Sequence, residues 1–299
     1  MKMITFGDSV VWGQGLLPQQ KFCHMAYKVL TGEDPTDDTL QALAHSGAVI
    51  GVGATIEKAA LNGEVPDSYP TILQQCAGYT GAVEDVDIIV LDGGINDMNS
   101  FILSNPFLDT DDLREKIVKH LYGDMLALLD AVTAKFTDPR TRIVVTGYYQ
   151  ILSKYSDRLR VPHFVGLHGI HLEDIVLELG DLVLDKIFSH HALFAEQSAI
   201  NLRRAVDETN ARLGGNRIRF ALAPFAPENA ALAPDSWIFG VDADLQPEDP
   251  FAAARHALCE RDETDIIRRG TCNLASIGHP NVIGAQKFAE AILDALKPI

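Results

Sequence analysis

Met3-Ile4-Thr5-Phe6-Gly7-Asp8-Ser9, close to the start of the chain, joins a mainly apolar run to a turn that ends in serine. A helix-like stretch from Pro18 to Leu30 follows. This order is typical of the first strand of an α/β protein, where the turn after the strand directs backbone amides and a hydroxyl into a cleft. Gly, Asp and Ser are common in any such turn, so Ser9 gains significance only from partners further along the chain.

Five short runs are predicted to form strands, and five longer segments have helical periodicity. The strand candidates are Lys2–Phe6, Thr39–Ala44 (the weakest), Val86–Leu91, Arg142–Tyr148 and Arg217–Ala223. The helix candidates are Gln19–Leu30, Tyr69–Gly78, Asp111–Phe136, His190–Leu213 and Asn281–Leu296. Strands that are apolar throughout are typical of parallel sheets covered on both faces. Their alternation with helices predicts a doubly wound α/β protein.

No repeat, low-complexity tract or linker interrupts the chain, so we expect one domain over residues 1–299. Two segments exceed ordinary loop length, at about 152–186 and 226–267, and insertions of this kind are typically lids, binding loops or decoration. The first insertion is broadly amphipathic. We interpret it as an apolar lid over the sheet edge, with plain packing against the body of the protein as the alternative.

The chain is acidic, with 41 Asp and Glu residues against 25 Lys and Arg residues and a formal net charge of −16. Such a surface repels phosphate backbones and anionic lipid headgroups, so we expect no nucleic-acid partner and no polybasic membrane patch. No apolar stretch approaches the roughly 20 residues that a membrane-spanning helix needs, so we also expect no integral membrane segment.

Four cysteines, Cys23, Cys76, Cys259 and Cys272, form no Cys-x-x-Cys pair. Reduced thiols are the default expectation, although Cys259 and Cys272 flank one loop-like segment where a disulfide would fit. No secretory leader is visible, because the first predicted strand begins almost at once. We therefore expect a cytoplasmic protein, with secretion as the alternative if a leader has been removed.

Three predicted strand ends carry residues suited to acyl chemistry. Asp92-Gly93-Gly94-Ile95-Asn96-Asp97 follows the third candidate strand, and Gly47 follows the weak second one. In a sheet of order 2-1-3-4-5, Ser9, Gly47 and Asn96 meet at the carboxyl edge of three neighbouring strands. Acyl transfer needs such a set, with one hydroxyl to attack the carbonyl and several fixed donors to hold the oxyanion.

His279 is the predicted base. It lies in Ser276-Ile277-Gly278-His279-Pro280-Asn281, a loop just before the last predicted helix. In a doubly wound fold this loop returns to the same carboxyl edge, which brings the imidazole within reach of Ser9. The other histidines match no standard zinc spacing, and no Walker loop or dinucleotide-binding glycine pattern is present, so we expect neither a metal nor a cofactor.

Together, Gly7-Asp8-Ser9, Gly47, Gly93-Gly94-Ile95-Asn96-Asp97 and His279-Pro280 resemble the four sequence blocks of the SGNH, or GDSL-like, serine hydrolases. The blocks occur in the family's order and span the chain from end to end. The resemblance implies a flavodoxin-like, three-layer α/β/α fold and hydrolysis of carboxylic esters. It implies Ser9 as nucleophile and His279 as general base. It also implies an oxyanion hole formed by the Ser9 amide, the Gly47 amide and the Asn96 side chain.

One position departs from the family's pattern. The family usually has an aspartate three residues before the histidine, where this chain has Ser276. We expect the backbone carbonyl of Ser276 or Ile277 to accept a hydrogen bond from His279 Nδ1 instead, with Asp262 or Asp265 as a lower-ranked alternative. A neutral acceptor fixes the tautomer of the imidazole but stabilises the imidazolium less than a carboxylate does.

The sequence therefore predicts a cofactor-free serine esterase that works through an acyl-enzyme. The expected partner is a small-molecule or lipid-like ester, and the sequence leaves the acyl length and the oligomeric state open. The alternatives are a carbohydrate O-deacetylase or a thioesterase that uses the same residues, and a pseudo-hydrolase that binds an ester or glycan without turning it over.

Overall fold

A computed structural model describes residues 1–166, 180–242, 246–263 and 265–298. Its strands are β1 (Met3–Phe6), β2 (Leu40–Ala42), β3 (Ile88–Leu91), β4 (Arg142–Thr146) and β5 (Ile218–Ala221). They form one parallel sheet in the order β2-β1-β3-β4-β5. The predicted sheet and its strand order are confirmed.

The helices of the described ranges flank this sheet. They are α1 (Ser9–Trp12), α2 (Phe22–Thr31), α3 (Ile72–Gly78), α4 (Thr110–Val118), α5 (Met125–Lys135), α6 (Val161–Gly166), α7 (Asp181–Leu213), α8 (Ala252–Asp262), α9 (Ile266–Asn273) and α10 (Val282–Ala295). Single 3₁₀ turns occur at Pro18–Gln20, Val83–Asp85, Ser100–Ser104 and Pro227–Asn229. None of these described helices is long and apolar enough to cross a membrane.

The central strands are apolar because both of their faces are covered. Every residue of β1 and β3 is buried. The two strands also end in register, since Phe6 lies opposite Leu91. The segments that begin at Gly7 and Asp92 therefore leave the sheet side by side at its carboxyl edge, which is where ligands bind in open α/β sheets.

Two groups of helices cover the two faces. On one face α2 packs against α10, and the rings of Phe22 and Phe288 stack with their centroids 5.0 Å apart. In the other group α5 packs against α3 and α7, and Phe136 just after α5 lies 6.0 Å from Phe6 of β1 between ring centroids. The first aromatic pair ties α2 to α10 within one layer, and the second ties the other layer to the sheet.

The described helices differ from the predicted ones in three places. The predicted helix over 111–136 is α4 and α5 joined by a π-helical segment at Lys119–Asp124. The last predicted crossover helix starts earlier, at Asp181, because Val183, Leu184 and Ile187 extend its buried face. The second insertion also contains α8, and α9 begins at its end; propensity alone reveals neither helix.

The first insertion is described only at its two ends. Residues 167–179 lie outside the described residues, so the interpretation of about 152–186 as a lid stays a prediction. At the described ends, α6 buries Val161, Phe164 and Val165, and α7 begins at Asp181. These ends pack against the body of the protein.

Candidate active site

The turn that carries Ser9 is held by two buried carboxyl groups. Ser9 is the first residue of α1, and the side chain of Asp8 caps this helix by accepting the Val10 amide at 2.9 Å. Gly7 has φ 152°, and a Cβ at this position would lie 2.2 Å from Asp92 Oδ1. Only glycine fits so close to the Asp92 side chain, which in turn accepts the Asp8 amide at 2.8 Å.

Below this turn, the surroundings of the two carboxyl groups favour their protonated forms. Tyr148 donates its hydroxyl to Asp8 Oδ2 at 2.6 Å. Burial raises the pKa of Asp8, and burial together with the Asp8 charge raises the pKa of Asp92 well above its ordinary value of 3.8. Two neighbouring buried carboxylates repel each other, so the pairing with Asp8 adds to the rise in the pKa of Asp92.

The imidazole of His279 lies directly against the serine. The distance from His279 Nε2 to Ser9 Oγ is 2.7 Å, although the two residues are 270 positions apart. Phe239 holds the loop of His279 through its backbone: its amide donates to the His279 carbonyl at 2.7 Å, and its carbonyl accepts the Gly278 amide at 3.0 Å. A serine hydroxyl at hydrogen-bond distance from an imidazole is the arrangement that activates a nucleophile.

Gly47 and Asn96 lie on the same cavity as Ser9. Gly47 has φ 78°, and a Cβ there would meet the Asp67 backbone nitrogen at 3.0 Å, so the position favours glycine. Asn96 Nδ2 donates one hydrogen bond to the Ala48 carbonyl at 3.0 Å. Because a carboxamide carries two N–H donors, this bond orients the side chain and leaves a second donor.

Asp97 fixes the loop that contains Gly47. Its carboxylate accepts the Ile50 amide at 2.8 Å and the Gly51 amide at 3.3 Å. Burial raises the pKa of Asp97, while these two backbone hydrogen bonds oppose the rise. The loop after β2 is thereby joined to the segment after β3, and both strand ends present their residues to one cavity.

This cavity has a volume of about 350 Å³. Part of its wall is apolar, with side chains from Ile95, Tyr149, Ile151, Phe164, Leu274 and Ile277. Another part is polar, with Ser46, Asn99, Ser100, Ser104 and His191. Ser104 Oγ and His191 Nε2 lie 3.4 Å apart in this wall. The cavity therefore suits a substrate that has both apolar and polar parts.

Ser276, Ile277 and Asp262 are among the residues predicted to orient the imidazole of His279. The Ser276 carbonyl accepts the backbone amide of His279 at 3.0 Å, and Ile277 lines the cavity. A bond from His279 Nδ1 to either carbonyl stays a prediction. Of the lower-ranked carboxylates, Asp262 accepts from the guanidinium of Arg261.

Sequence reasoning missed Asp249 and Arg255. The Ser276 hydroxyl, which is fully buried, donates to Asp249 Oδ2 at 2.5 Å and accepts from Arg255 at 3.1 Å. Both partners come from the second insertion. No spacing rule relates that segment to the His279 loop, so the only signal was an acidic and a basic residue in a loop-like stretch.

The second insertion is covalently linked to the segment that follows it. A disulfide joins Cys259 of α8 to Cys272 of α9, while Cys23 and Cys76 are free and buried. The sequence did not decide between this disulfide and two free thiols. Since α9 leads directly to Ser276, the bond holds the chain just before the His279 loop.

One group of side chains outside the Ser9 turn has metal-binding chemistry. Ligand atoms of Asp97, His120 and Asp124 lie within 4.8 Å of one another in the described part of the chain. His120 Nδ1 already pairs with Asp124 at 2.6 Å, and Asp97 already accepts two backbone amides. Protein hydrogen bonds therefore satisfy these groups in the arrangement described.

Comparisons with known proteins bear on the fold. No family model matches the sequence, and no curated protein matches it. An extracellular lipase from Streptomyces rimosus aligns over 99% of this chain and 98% of its own, with a TM-score of 0.51 and 14% identity. The chain shares this lipase's fold. At such low identity the likeness extends to the fold and not to the activity.

Two further solved structures are more distant. A lipase from a goat rumen metagenome has a TM-score of 0.45 and 13% identity, covering 99% of this chain and 97% of its own. An alpha/beta hydrolase enzyme from the metagenome of Lake Arreo, Spain, has a TM-score of 0.40 and 14% identity, covering 98% and 94%. Their scores add nothing to the fold assignment.

Proposed function

We propose that this protein is a serine hydrolase of the SGNH type that cleaves carboxylic esters. The observation that carries the proposal is the 2.7 Å separation between Ser9 Oγ and His279 Nε2 inside a cavity. The four sequence blocks supply the same two residues in the same roles. The Streptomyces rimosus protein that shares this fold is described as a lipase, which agrees with the proposal without carrying it.

In the proposed reaction, Ser9 Oγ attacks the ester carbonyl carbon while its proton passes to His279 Nε2. The carbonyl oxygen becomes an oxyanion that accepts hydrogen bonds from the Ser9 amide, the Gly47 amide and the Asn96 side chain. When the tetrahedral intermediate collapses, the C–O bond to the alcohol breaks and the alcohol takes the proton from Nε2. An acyl-enzyme on Ser9 remains.

Water then completes the cycle. His279 Nε2 removes a proton from the water as its oxygen attacks the acyl-enzyme, and the same oxyanion donors hold the second intermediate. Collapse of this intermediate returns the proton to Ser9 Oγ and releases the acid. In this proposal the Ser276 or Ile277 carbonyl holds Nδ1–H throughout, so the tautomer of His279 is fixed by the backbone.

The cavity favours a small or medium ester over a long-chain lipid. Its volume of about 350 Å³ is near the lower end of the range for ligand pockets, roughly 300–1,000 Å³. The polar wall that contains Ser46, Asn99 and Ser104 also favours an acetylated carbohydrate as a second candidate substrate. Both substrates use the same acyl-enzyme chemistry.

A fluorophosphonate probe tests the proposal, because it phosphonylates only serines that a base activates. We expect one label per chain, located on Ser9 by peptide mass spectrometry. Ser9→Ala should abolish both the label and the hydrolysis of p-nitrophenyl acetate. Ser68→Ala is the matched control, since Ser68 lines the same cavity, and it should keep both. Full ester turnover by Ser9→Ala protein would overturn the proposal.

We also propose an oxidising compartment for this protein, against the cytoplasmic expectation. The Cys259–Cys272 disulfide supports this, because structural disulfides persist mainly outside the reducing cytosol. Alkylation of the unfolded protein from its own cells tests it. We expect thiol labelling at Cys23 and Cys76 alone, whereas labelling of all four cysteines would contradict the proposal.

A further inference from the structure

A buried ion cluster lies between the turn of Ser9 and the loop of His279. It consists of Arg255, Asp249 and Glu64, whose side chains are 0%, 0% and 1% exposed. Arg255 holds both carboxylates at once, Asp249 Oδ2 at 2.6 Å and Glu64 Oε1 at 3.0 Å. The planar guanidinium is suited to this task because its donors point in fixed directions.

One side of the cluster reaches Ser9. Glu64 accepts hydrogen bonds from Gln14 Nε2 at 3.0 Å and from the Gly15 amide at 2.9 Å. The backbone amide of Gln14 donates in turn to the Ser9 carbonyl at 3.1 Å. Glu64 therefore holds the segment that directly follows the nucleophile.

The other side of the cluster reaches His279. Arg255 Nε donates to the Asn273 carbonyl at 3.2 Å, at the end of α9. Asp249 and Arg255 both hydrogen-bond to the Ser276 hydroxyl, and the Ser276 carbonyl accepts the His279 amide. The loop of the base is therefore anchored to the same guanidinium as the turn of the nucleophile.

The two sides also touch directly. Gly15 has φ 81°, and a Cβ at this position would lie 2.7 Å from the Ser276 Cβ and 3.0 Å from the Asp249 Cβ. No wider side chain fits between the two segments. Because the charges are buried and each is paired, the cluster has one well-defined arrangement and resists being opened.

We propose that Arg255 is a positioning residue that sets the separation of Ser9 and His279, acting through Glu64 on one side and through Ser276 on the other. This inference rests on the proposed hydrolase function for its effect on rate. The effect of Arg255 on the position of the His279 imidazole does not depend on that function and can be measured without it.

Ser276→Ala is the sharpest variant, because it removes the hydroxyl link and keeps the backbone carbonyl and the buried ion pairs. We expect kcat for p-nitrophenyl acetate to fall about 10- to 100-fold with an unchanged KM, as for a misplaced catalytic group. Arg255→Lys keeps the positive charge but loses the planar guanidinium that contacts both carboxylates. It should likewise lower kcat and leave KM unchanged.

Ser156→Ala is the matched control. Ser156 is also buried, and its hydroxyl also donates a hydrogen bond, to the Ala231 carbonyl at 2.6 Å, in a turn that does not line the cavity. We expect this variant to lose a comparable amount of thermal stability and to keep its kcat. A fall in kcat of equal size in both variants would show a structural role only and would overturn the inference.

Histidine NMR separates this inference from the proposed function. In Ser276→Ala we expect the ring signals of His279 to shift as the contact with Ser9 loosens, and in Ser156→Ala we expect no shift. If the wild type hydrolyses no ester and takes up no fluorophosphonate but these shifts occur, the positioning role stands and the hydrolase proposal fails. Unshifted His279 signals in Ser276→Ala overturn the positioning role.

Discussion

At the scale of single residues, one side chain can combine a structural hydrogen bond with a role in the proposed reaction. Asn96 is the clearest case. One of its N–H groups donates to the Ala48 carbonyl, and this bond aims the amide that the proposed reaction uses for the oxyanion. A donor that is already fixed before the reaction stabilises developing charge without a reorganisation cost at the moment of reaction.

Asn96→Ala should therefore lower kcat by about 10²–10³ while KM changes little, because the lost interaction forms mainly in the transition state. Steady-state hydrolysis of p-nitrophenyl acetate measures both constants. Asn105→Ala is the control, because the side chain of Asn105 accepts the Phe107 amide away from the cavity wall, and this variant should keep both constants. An Asn96→Ala enzyme with wild-type kcat would remove Asn96 from the oxyanion hole.

Asp92 gives a prediction about pH. Its folded-state pKa is raised by burial, so the folded protein binds a proton that the unfolded chain loses above about pH 4. The contribution of Asp92 to stability is then greatest below that pH and falls as the pH rises. In an Asp92→Asn variant the side chain cannot ionise, yet the new carboxamide oxygen can accept the Asp8 amide as before.

The free energy of unfolding of Asp92→Asn, measured in urea and compared with that of the wild type, should therefore increase as the pH rises from 5 to 8. The comparison of the two proteins at each pH cancels the contribution of titrating groups that do not interact with Asp92; Asp8, whose charge acts on Asp92, is read together with it. A difference in unfolding free energy that does not change with pH would show that Asp92 is ionised in the folded state.

At the scale of elements, the second insertion supplies many of the contacts that surround the His279 loop. Segment 237–239 pairs with the His279 loop, α8 supplies Arg255, and the Cys259–Cys272 disulfide joins α8 to α9. This insertion, for which the sequence left a lid, a binding loop or decoration open, is thus a source of the contacts that hold the loop of His279 in place.

The double variant Cys259→Ser/Cys272→Ser should unfold more easily by up to about 3 kcal/mol, the loop-closure value for a bridge of this span. Urea denaturation of the oxidised wild type and of the variant measures the loss. Reductant should destabilise the wild type and leave the double variant unchanged. Equal stability of the oxidised wild type and the double variant would show that the disulfide adds nothing to the free energy of unfolding.

The sequence predicted those elements whose pattern is local. The strands β1, β3, β4 and β5 are short apolar runs, and the parallel sheet brings their ends together, so Ser9, Gly47, Asn96 and His279 could be named in advance. Asp249 and Arg255 could not, because their pairing joins an insertion to a distant loop and leaves no periodicity. The π-helical segment at Lys119–Asp124 was also invisible, since a helical pattern does not report its exact pitch.

At the scale of the whole molecule, the carboxyl edge of the sheet, Phe164 of α6 and the segment from Thr271 to His279 line a cavity of limited size. A rate profile over p-nitrophenyl esters from acetate to palmitate should therefore show kcat/KM highest for short acyl chains and lowest for palmitate. Fluorophosphonate labelling of the same preparation gives the concentration of active sites for normalisation. A preference for palmitate would instead favour an acyl groove beneath the insertion at about 152–186.

The distance of 270 positions between Ser9 and His279 has a consequence for biosynthesis. During translation, Ser9 is made long before His279, and α10 must still stack on α2 through Phe288 and Phe22. A nascent chain on the ribosome thus carries a serine without its base. In the proposed mechanism, Ser9 can become reactive only after His279 has been made and α10 has packed, so a shorter nascent chain has no activated serine.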